Sequence, residues 1–176
     1  MELEIARKSV PLGLGDAPCD EKWRVRLPAQ YSAYFLGYGK DGGSAELYAA
    51  TFDGTDVLLW PKAEFLSWRD ELQECEGPER PKNRRLLLAA QLYGGETEID
   101  RQGRFVLPRN VREALGLSQS GIEFKVLNDG PIRLMTEQRC EETKKGPVQL
   151  GREFDDYAAD KYTEYLGGNR GKQGAE

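Results

Sequence analysis

Hydrophobic positions along the chain change their period several times, and each change marks an element. Phe105-Val106-Leu107 is a short β-prone run, preceded by Ile99 and ended by Pro108. Proline has no N–H to give to a ladder, so a strand stops there. Pro108 also has a φ suited to a helix start, and Val111, Ala114 and Leu115 follow at i, i+3 and i+4, a helix of about two turns that Gly116 closes. Ile122, Phe124 and Val126 then alternate with Glu123 and Lys125, and with Asp129-Gly130 and Ile132 to Met135 they predict a hairpin. The same order runs earlier with weaker signals: Trp23 to Leu27, Pro28, a helix-like Ala29 to Phe35, a Gly-rich loop from Gly37 to Ser44, strand-like Leu47 to Phe52, Asp53-Gly54, and Val57 to Trp60. Between the two series the pattern predicts two helices. One starts at Pro61, carries the stripe Phe65, Trp68, Leu72 and ends at Gly77-Pro78. The other runs from Arg84 to Leu92, with Asn83 as N-cap and Gly94-Gly95 as its stop. Met1 to Asp16 shows little periodicity. Gly146 to Glu176 is polar enough to predict a loose tail, with a helix over Glu153 to Leu166 as the alternative, since Phe154, Tyr157, Ala158, Tyr162 and Tyr165 approximate one stripe.

The two series are copies. Asp20-Glu21-Lys22-Trp23-Arg24-Val25-Arg26-Leu27-Pro28 overlies Asp100-Arg101-Gln102-Gly103-Arg104-Phe105-Val106-Leu107-Pro108, with Asp, Arg, Leu and Pro coinciding at an offset of 100 − 20 = 80 residues. Downstream spacings drift by a few residues.

Composition narrows the chemistry. A chain of 176 residues with 39% hydrophobic content has enough apolar surface for one sizeable core. Neither a run of spanning length nor a basic-then-apolar leader is seen, so no membrane association and a cytoplasmic address are expected. The chain holds no histidine, and its three cysteines, Cys19, Cys75 and Cys140, are far apart, which predicts reduced thiols and no zinc site. Without histidine, Ser-His and Cys-His nucleophiles are excluded, and no carboxylate or lysine pair recurs at a catalytic spacing outside the repeat. No catalytic residue, metal, cofactor or small-molecule substrate is therefore expected, and the protein is read as a non-enzyme. Net charge is −5, yet Asp100 to Arg112 holds four arginines against one aspartate. Local surplus, not the sum, decides whether a surface attracts a polyanion.

Glu98-Ile99-Asp100-Arg101-Gln102-Gly103-Arg104-Phe105-Val106-Leu107-Pro108 resembles the signature of the AbrB-like swapped-hairpin barrels, Asp-x-x-Gly-Arg, three apolar residues and Pro, followed by a short helix. Two such units joined by a helical pair containing Leu86-Leu87-Leu88-Ala89-Ala90 resemble the MraZ family. The resemblance implies an α+β fold, mainly a β swapped-hairpin barrel of the AbrB/MraZ type, formed by two tandem β-α-β repeats with helices between and after them. It divides the chain into an N-terminal extension (1–11), a first SpoVT/AbrB-like repeat (12–62), connecting helices (63–94), a second repeat (95–139) and a flexible C-terminal tail (140–176). It also implies a bacterial, nucleoid-associated regulator that binds short repeats in the promoter of the division and cell-wall gene cluster, the expected partners being double-stranded DNA and further copies of itself in a ring.

By the same resemblance each Asp-x-x-x-Arg motif is linked to DNA. Guanidinium groups neutralise phosphate and suit guanine edges, so Arg24 and Arg104 are the expected readers, while Asp20 and Asp100 orient them. Arg101, Arg109 and Arg112 are expected on the same face, with Lys22, Arg24 and Arg26 as the counterparts in copy one. Copy one has Trp23 where the family pattern has glycine, so copy two is expected to make the stronger DNA contact and copy one to serve assembly more. Competing readings assign other roles. Asp100 and Arg104 could form a structural ion pair at a barrel rim. Arg80 to Arg85 reads as a solvated helix start. Trp60, Phe65 and Trp68, like Tyr31, Tyr34 and Tyr38, read as core or interface residues. Gly37 to Ser44 lacks the Gly-Lys-Ser/Thr ending of a phosphate loop. A second functional class is an antitoxin-like member of the same fold whose tail binds a partner toxin.

Overall fold

The computed structural model describes residues 10–117, 121–145 and 151–173, the side chains of 169–173 excepted. The chain divides into two compact units, Met1–Cys140 and Glu141–Glu176. Among the described residues the elements run β1 (Gly15–Pro18), β2 (Arg24–Arg26), α1 (Ala29–Leu36), β3 (Ser44–Ala50), β4 (Val57–Pro61), α2 (Lys62–Glu74), α3 (Arg80–Leu92), β5 (Gly94–Asp100), β6 (Arg104–Val106), α4 (Arg109–Ala114), β7 (Glu123–Asn128), β8 (Ile132–Thr136), α5 (Glu137–Lys144) and α6 (Arg152–Gln173). The fold class is α+β.

Two sheets hold the first unit. One is six-stranded in the order β1-β7-β8-β4-β3-β5, the other is the two-stranded ribbon β2-β6, and every pairing is antiparallel. The repeats exchange their first strands: β1 of the first repeat pairs with β7 of the second, and β5 of the second with β3 of the first. The registers are equivalent. Gly15 faces Val126 as Gly95 faces Ala49, and Pro18 faces Glu123 as Glu98 faces Glu46. A pseudo-two-fold axis relates the repeats. It passes between Val25 and Phe105 in the ribbon, where Arg24 faces Val106 and Arg26 faces Arg104, and between Leu58 and Arg133, where Val57 faces Leu134 and Leu59 faces Ile132.

The core lies where the repeats meet. Val25, Leu27, Tyr31, Phe35, Ile99, Phe105, Leu107, Val111, Phe124 and Val126 are buried in one cluster. Each such side chain contributes about 1.5–3 kcal/mol when fully removed from water. A second cluster joins the connecting helices to β3 and β4. Phe65 stacks on Tyr48 with ring centroids 3.9 Å apart, Trp60 stacks on Trp68, and the Tyr48 hydroxyl donates to the Ala90 carbonyl at 2.9 Å.

The helices after Pro28, Pro61 and Pro108 start where proline predicts. α3 does not start at Asn83: it begins a turn earlier, with Glu79 as N-cap and Pro81 inside its first turn, where a missing N–H costs nothing. Strands β1 and β5 fall where the sequence showed little alternation, and their glycines are the reason. A Cβ on Gly15 would lie 2.7 Å from Pro28 Cγ, and one on Gly95 would lie 2.9 Å from Pro108 Cβ. Each first strand thus presses its backbone onto the proline that opens its own repeat's helix, and the close approach removes the side chains that would have signalled a strand. Tyr31 and Phe35 are fully buried, while Tyr38 is 38% exposed and donates to Glu64 Oε1 at 3.0 Å, so it lies outside the core expected for it.

The second unit carries α6, a helix where the loose tail was the first expectation. Phe154, Tyr157, Tyr162 and Tyr165 are exposed on it, as two ring pairs, Phe154 with Tyr157 and Tyr162 with Tyr165.

Candidate nucleic-acid interface

Each ribbon strand is entered through a tight turn whose frame is an aspartate. In turn one, Asp20 Oδ1 accepts from the Lys22 and Arg24 backbone N–H groups at 2.9 and 3.0 Å, the Trp23 N–H donates to the Asp20 carbonyl at 3.1 Å, and Arg24 Nε donates to Asp20 Oδ2 at 2.7 Å. In turn two, Asp100 Oδ1 accepts from the Gln102 and Arg104 N–H groups at 2.9 and 3.0 Å, the Gly103 N–H donates to the Asp100 carbonyl at 3.0 Å, and Arg104 Nε donates to Asp100 Oδ2 at 3.1 Å. A short polar side chain that bonds the backbone two and four residues ahead closes the loop in place of a ladder. The same bonds hold both carboxyls below the usual carboxylate range. For Asp20 the Arg24 N–H is the largest cause, followed by partial desolvation in the opposite sense and then the guanidinium. For Asp100 desolvation pushes upward, and the Arg104 N–H and guanidinium together with the Gln102 N–H outweigh it.

The third turn position is left-handed in both copies, with φ 61° at Trp23 and 78° at Gly103. Although Trp23 stands where the family pattern has glycine, the aspartate frame sets the same turn with either residue. Trp23 lies beneath the Arg112 guanidinium, 5.1 Å from ring centroid to Cζ. A Cβ on Gly103 would lie 3.0 Å from Ser32 Cβ, and Ser32 precedes Arg112 by 112 − 32 = 80 residues, so the two contacts are the same place in the two repeats.

The ribbon displays what the turns orient. Val25 and Phe105 point into the core, and the alternation of a strand puts Arg24, Arg26, Arg104 and Val106 on the outward face. The backbone there is locked by reciprocal bonds, Leu27 N–H to the Gly103 carbonyl at 2.9 Å and Leu107 N–H to the Trp23 carbonyl at 2.8 Å. Arg24 and Arg104 are 37% and 31% exposed. An arginine held through Nε keeps its terminal amino groups for a second acceptor. Three guanidiniums therefore share one face, two of them aimed by carboxylates.

The other expected residues are placed differently. Lys22 and Arg101 are exposed on the turns, and Arg101 Nη2 lies against Gly43 of the long loop. Arg109 is 81% exposed on α4 and paired with Glu113 Oε1 at 2.8 Å. Arg112 is half-buried against Trp23, and its Nε is buried without a hydrogen-bond partner, so its guanidinium is part of the packing. Two contributors escaped the sequence reading. Val106, 48% exposed, faces Arg24 across the ribbon, and Thr97 Oγ1 donates to its carbonyl at 2.7 Å. The signal for Val106 was present, because the offset of 80 residues aligns it with Arg26. Cys19, just before turn one, is a buried thiol pushed up to about 11, chiefly by burial and then by Asp20, which removes it from nucleophilic chemistry near pH 7. Among the described residues no group of three or more metal-ligating side chains is assembled, and no helix is long and apolar enough to cross a membrane.

No family profile matches the chain. Individual relatives do. The transcriptional regulator MraZ of Acidobacterium capsulatum is 30% identical over 113 residues, 60% of this chain and 68% of that protein. The chain belongs to the MraZ family. The transcriptional regulator MraZ of Alcanivorax borkumensis is 30% identical over 57% of the chain and 66% of its own length, and that of Koribacter versatilis 27% identical over 54% and 62%. The matches thus span about two thirds of the length of these relatives.

Proposed function

We propose that this chain is a DNA-binding transcriptional regulator that uses the β2-β6 ribbon to engage double-stranded DNA, and that it represses a division and cell-wall gene cluster by binding short promoter repeats as a ring-shaped oligomer. The observation that carries this reading is the ribbon face, where Arg24 and Arg104 are fixed by Asp20 and Asp100 beside Arg26, which has no carboxylate partner among the described residues. Membership of a family whose members are named transcriptional regulators supports it. The exchange of first strands between repeats supports the further reading of the first unit as a swapped-hairpin barrel. A cytoplasmic, nucleoid-associated protein without catalytic activity goes with this function.

Affinity needs assembly. The chain carries net charge −5, and a ribbon with three arginines releases few counterions, so one subunit binds weakly at physiological salt. Several ribbons on one ring, facing repeated sites, engage at high effective concentration. Lys22 and Arg101 on the turns and Arg109 on α4 are assigned to phosphate contacts around this centre, and Arg112 to supporting the first turn.

A gel-shift titration of a repeat-containing promoter at several salt concentrations tests the reading. Binding should fall linearly on a log–log salt plot. The double variant Arg24→Ala, Arg104→Ala should lose about tenfold or more in affinity per arginine while keeping its oligomer size. Retained affinity, or binding insensitive to salt, refutes it. One observation favours a second, antitoxin-like reading: α6 exposes Phe154, Tyr157, Tyr162 and Tyr165, a stripe suited to a protein partner. Co-purification of a stoichiometric partner that the truncation 1–145 fails to retain would support that reading.

A further inference from the structure

The axis between Val25 and Phe105 carries Arg24 onto Arg104 but Arg26 onto Val106. The outward face of the ribbon is therefore matched in one pair of positions and mismatched in the other. We propose that Arg26 and Val106 make the ribbon read an asymmetric double-stranded site, Arg26 taking a guanine and Val106 covering a thymine methyl at axis-related positions. This inference rests on the reading of the chain as a DNA binder and goes beyond it by assigning the base each position takes.

The geometry supports this in three ways. First, size: directly opposed residues stand about 5 Å apart and alternate residues along a strand about 7 Å, so the four side chains fit within a major groove about 12 Å wide that admits a two-stranded ribbon. Second, charge: Arg26 is exposed, has no carboxylate partner among the described residues, and faces Arg104 directly across the ribbon. Asp100 offsets the charge of Arg104, so the charge left for an acceptor in the groove on this side of the ribbon is that of Arg26. Third, chemistry: the guanidinium fork matches the O6 and N7 acceptors of guanine, whereas the C5-methyl of thymine is the apolar feature of that groove and suits a branched aliphatic side chain. Val106 is 48% exposed, and its backbone is held by Thr97, so its methyls are presented at a fixed height beside Arg24. Arg24 and Arg104, framed identically by Asp20 and Asp100, read equivalent positions in both half-sites.

The full chain is used to select sites from a random double-stranded DNA library, alongside Arg26→Val and Val106→Arg. Each substitution installs the residue that the axis-related position already carries, so the ribbon backbone accommodates both. The expected wild-type motif is palindromic except at one pair of positions, guanine in one half and thymine in the other. Arg26→Val should lower the guanine preference at that single position by about tenfold, and Val106→Arg should convert the thymine position to guanine and make the motif symmetric. A wild-type motif that is already symmetric at these positions overturns the inference. So does an Arg26→Val variant that weakens all sequences equally with a salt slope reduced by about one charge, the mark of a phosphate contact. Absence of any wild-type binding refutes the DNA-binding function itself, an outcome distinct from the other two.

Discussion

Turn one and turn two hold their aspartates through the same bonds and yet fill the third turn position with the largest and the smallest of side chains. Trp23 sits at φ 61° and Gly103 at 78°. A non-glycine residue held in the left-handed region costs on the order of 1–3 kcal/mol, and it persists only where the surroundings over-determine it. At Trp23 they do. The Asp20 frame fixes the backbone on both sides, the indole packs against the core cluster, and Arg112 lies over its face. At Gly103 the neighbour differs, because Ser32 occupies the space that a side chain would need. The comparison separates two requirements that a glycine in a motif conflates. Both turns need the left-handed backbone, but turn two alone needs the absence of a side chain. The copies therefore do not differ in loop geometry, and their difference lies on the ribbon face, at Arg26 and Val106.

The largest effect should come from forcing turn two to resemble turn one. Gly103→Trp adds left-handed strain and a collision with Ser32, together about 2–4 kcal/mol of lost stability by urea unfolding. Adding Ser32→Arg supplies the cation that Trp23 has in Arg112 and should restore about 1 kcal/mol of it. A fully tolerated Gly103→Trp would show that Ser32 yields and that the two turns are interchangeable.

Most of the repeat was legible in the sequence because its signals are local. Pro28 and Pro108 announce both helix starts, Asp53-Gly54 and Asp129-Gly130 both hairpins, and the shared Asp-x-x-x-Arg both turns. The exchange of strands was not legible from alternation. Gly15 and Gly95 leave β1 and β5 without the side chains that alternation needs, and their partners lie in the opposite repeat, a pairing that no local window contains. For the candidate site, the sequence grouped its cations copy by copy and could neither bring Arg24 and Arg26 together with Arg104 nor set Arg112 apart, because the ribbon pairing and the packing of Arg112 over Trp23 both join one repeat to the other. Trp23 itself read as a departure from the family pattern. Its tolerance follows from hydrogen bonds that the motif encodes but a residue-by-residue comparison does not weigh.

A smaller effect isolates what Trp23 gains from Arg112. In a double-mutant cycle of Trp23→Ala and Arg112→Met, the coupling should be about 0.5–2 kcal/mol, the range of a cation over an aromatic face at a partly buried site. Methionine keeps the aliphatic stem and removes the buried Nε that has no hydrogen-bond partner, so Arg112→Met alone should cost little when Trp23 is already gone. A coupling near zero would mean that the indole is held by packing alone, and the contrast with Ser32 beside Gly103 would reduce to volume.

The smallest effect concerns the feature the turns share. Both Asp20 and Asp100 titrate below their ordinary value of 3.8 in the folded protein. A carboxyl depressed on folding stabilises the native state fully above its unfolded pKa, and that contribution is lost as the pH falls through the folded value. Stability should thus be flat from neutral pH down to about 4 as far as these groups are concerned, and then decline below it in proportion to their protonation. Carboxyl chemical shifts followed through an acid titration should place both residues below 3.8, since each carboxylate accepts two backbone N–H bonds and one guanidinium bond. Asp20→Asn and Asp100→Asn keep an oxygen for the backbone and lose the ion pair, so each should remove its own share of the acid-dependent loss while leaving the turn closed. Equal displacement of the two resonances would establish that Trp23 and Gly103 sit in one and the same frame. An Asp20 that titrates at or above 3.8 would show that tryptophan opens the first turn in solution, and the equivalence of the copies would end there.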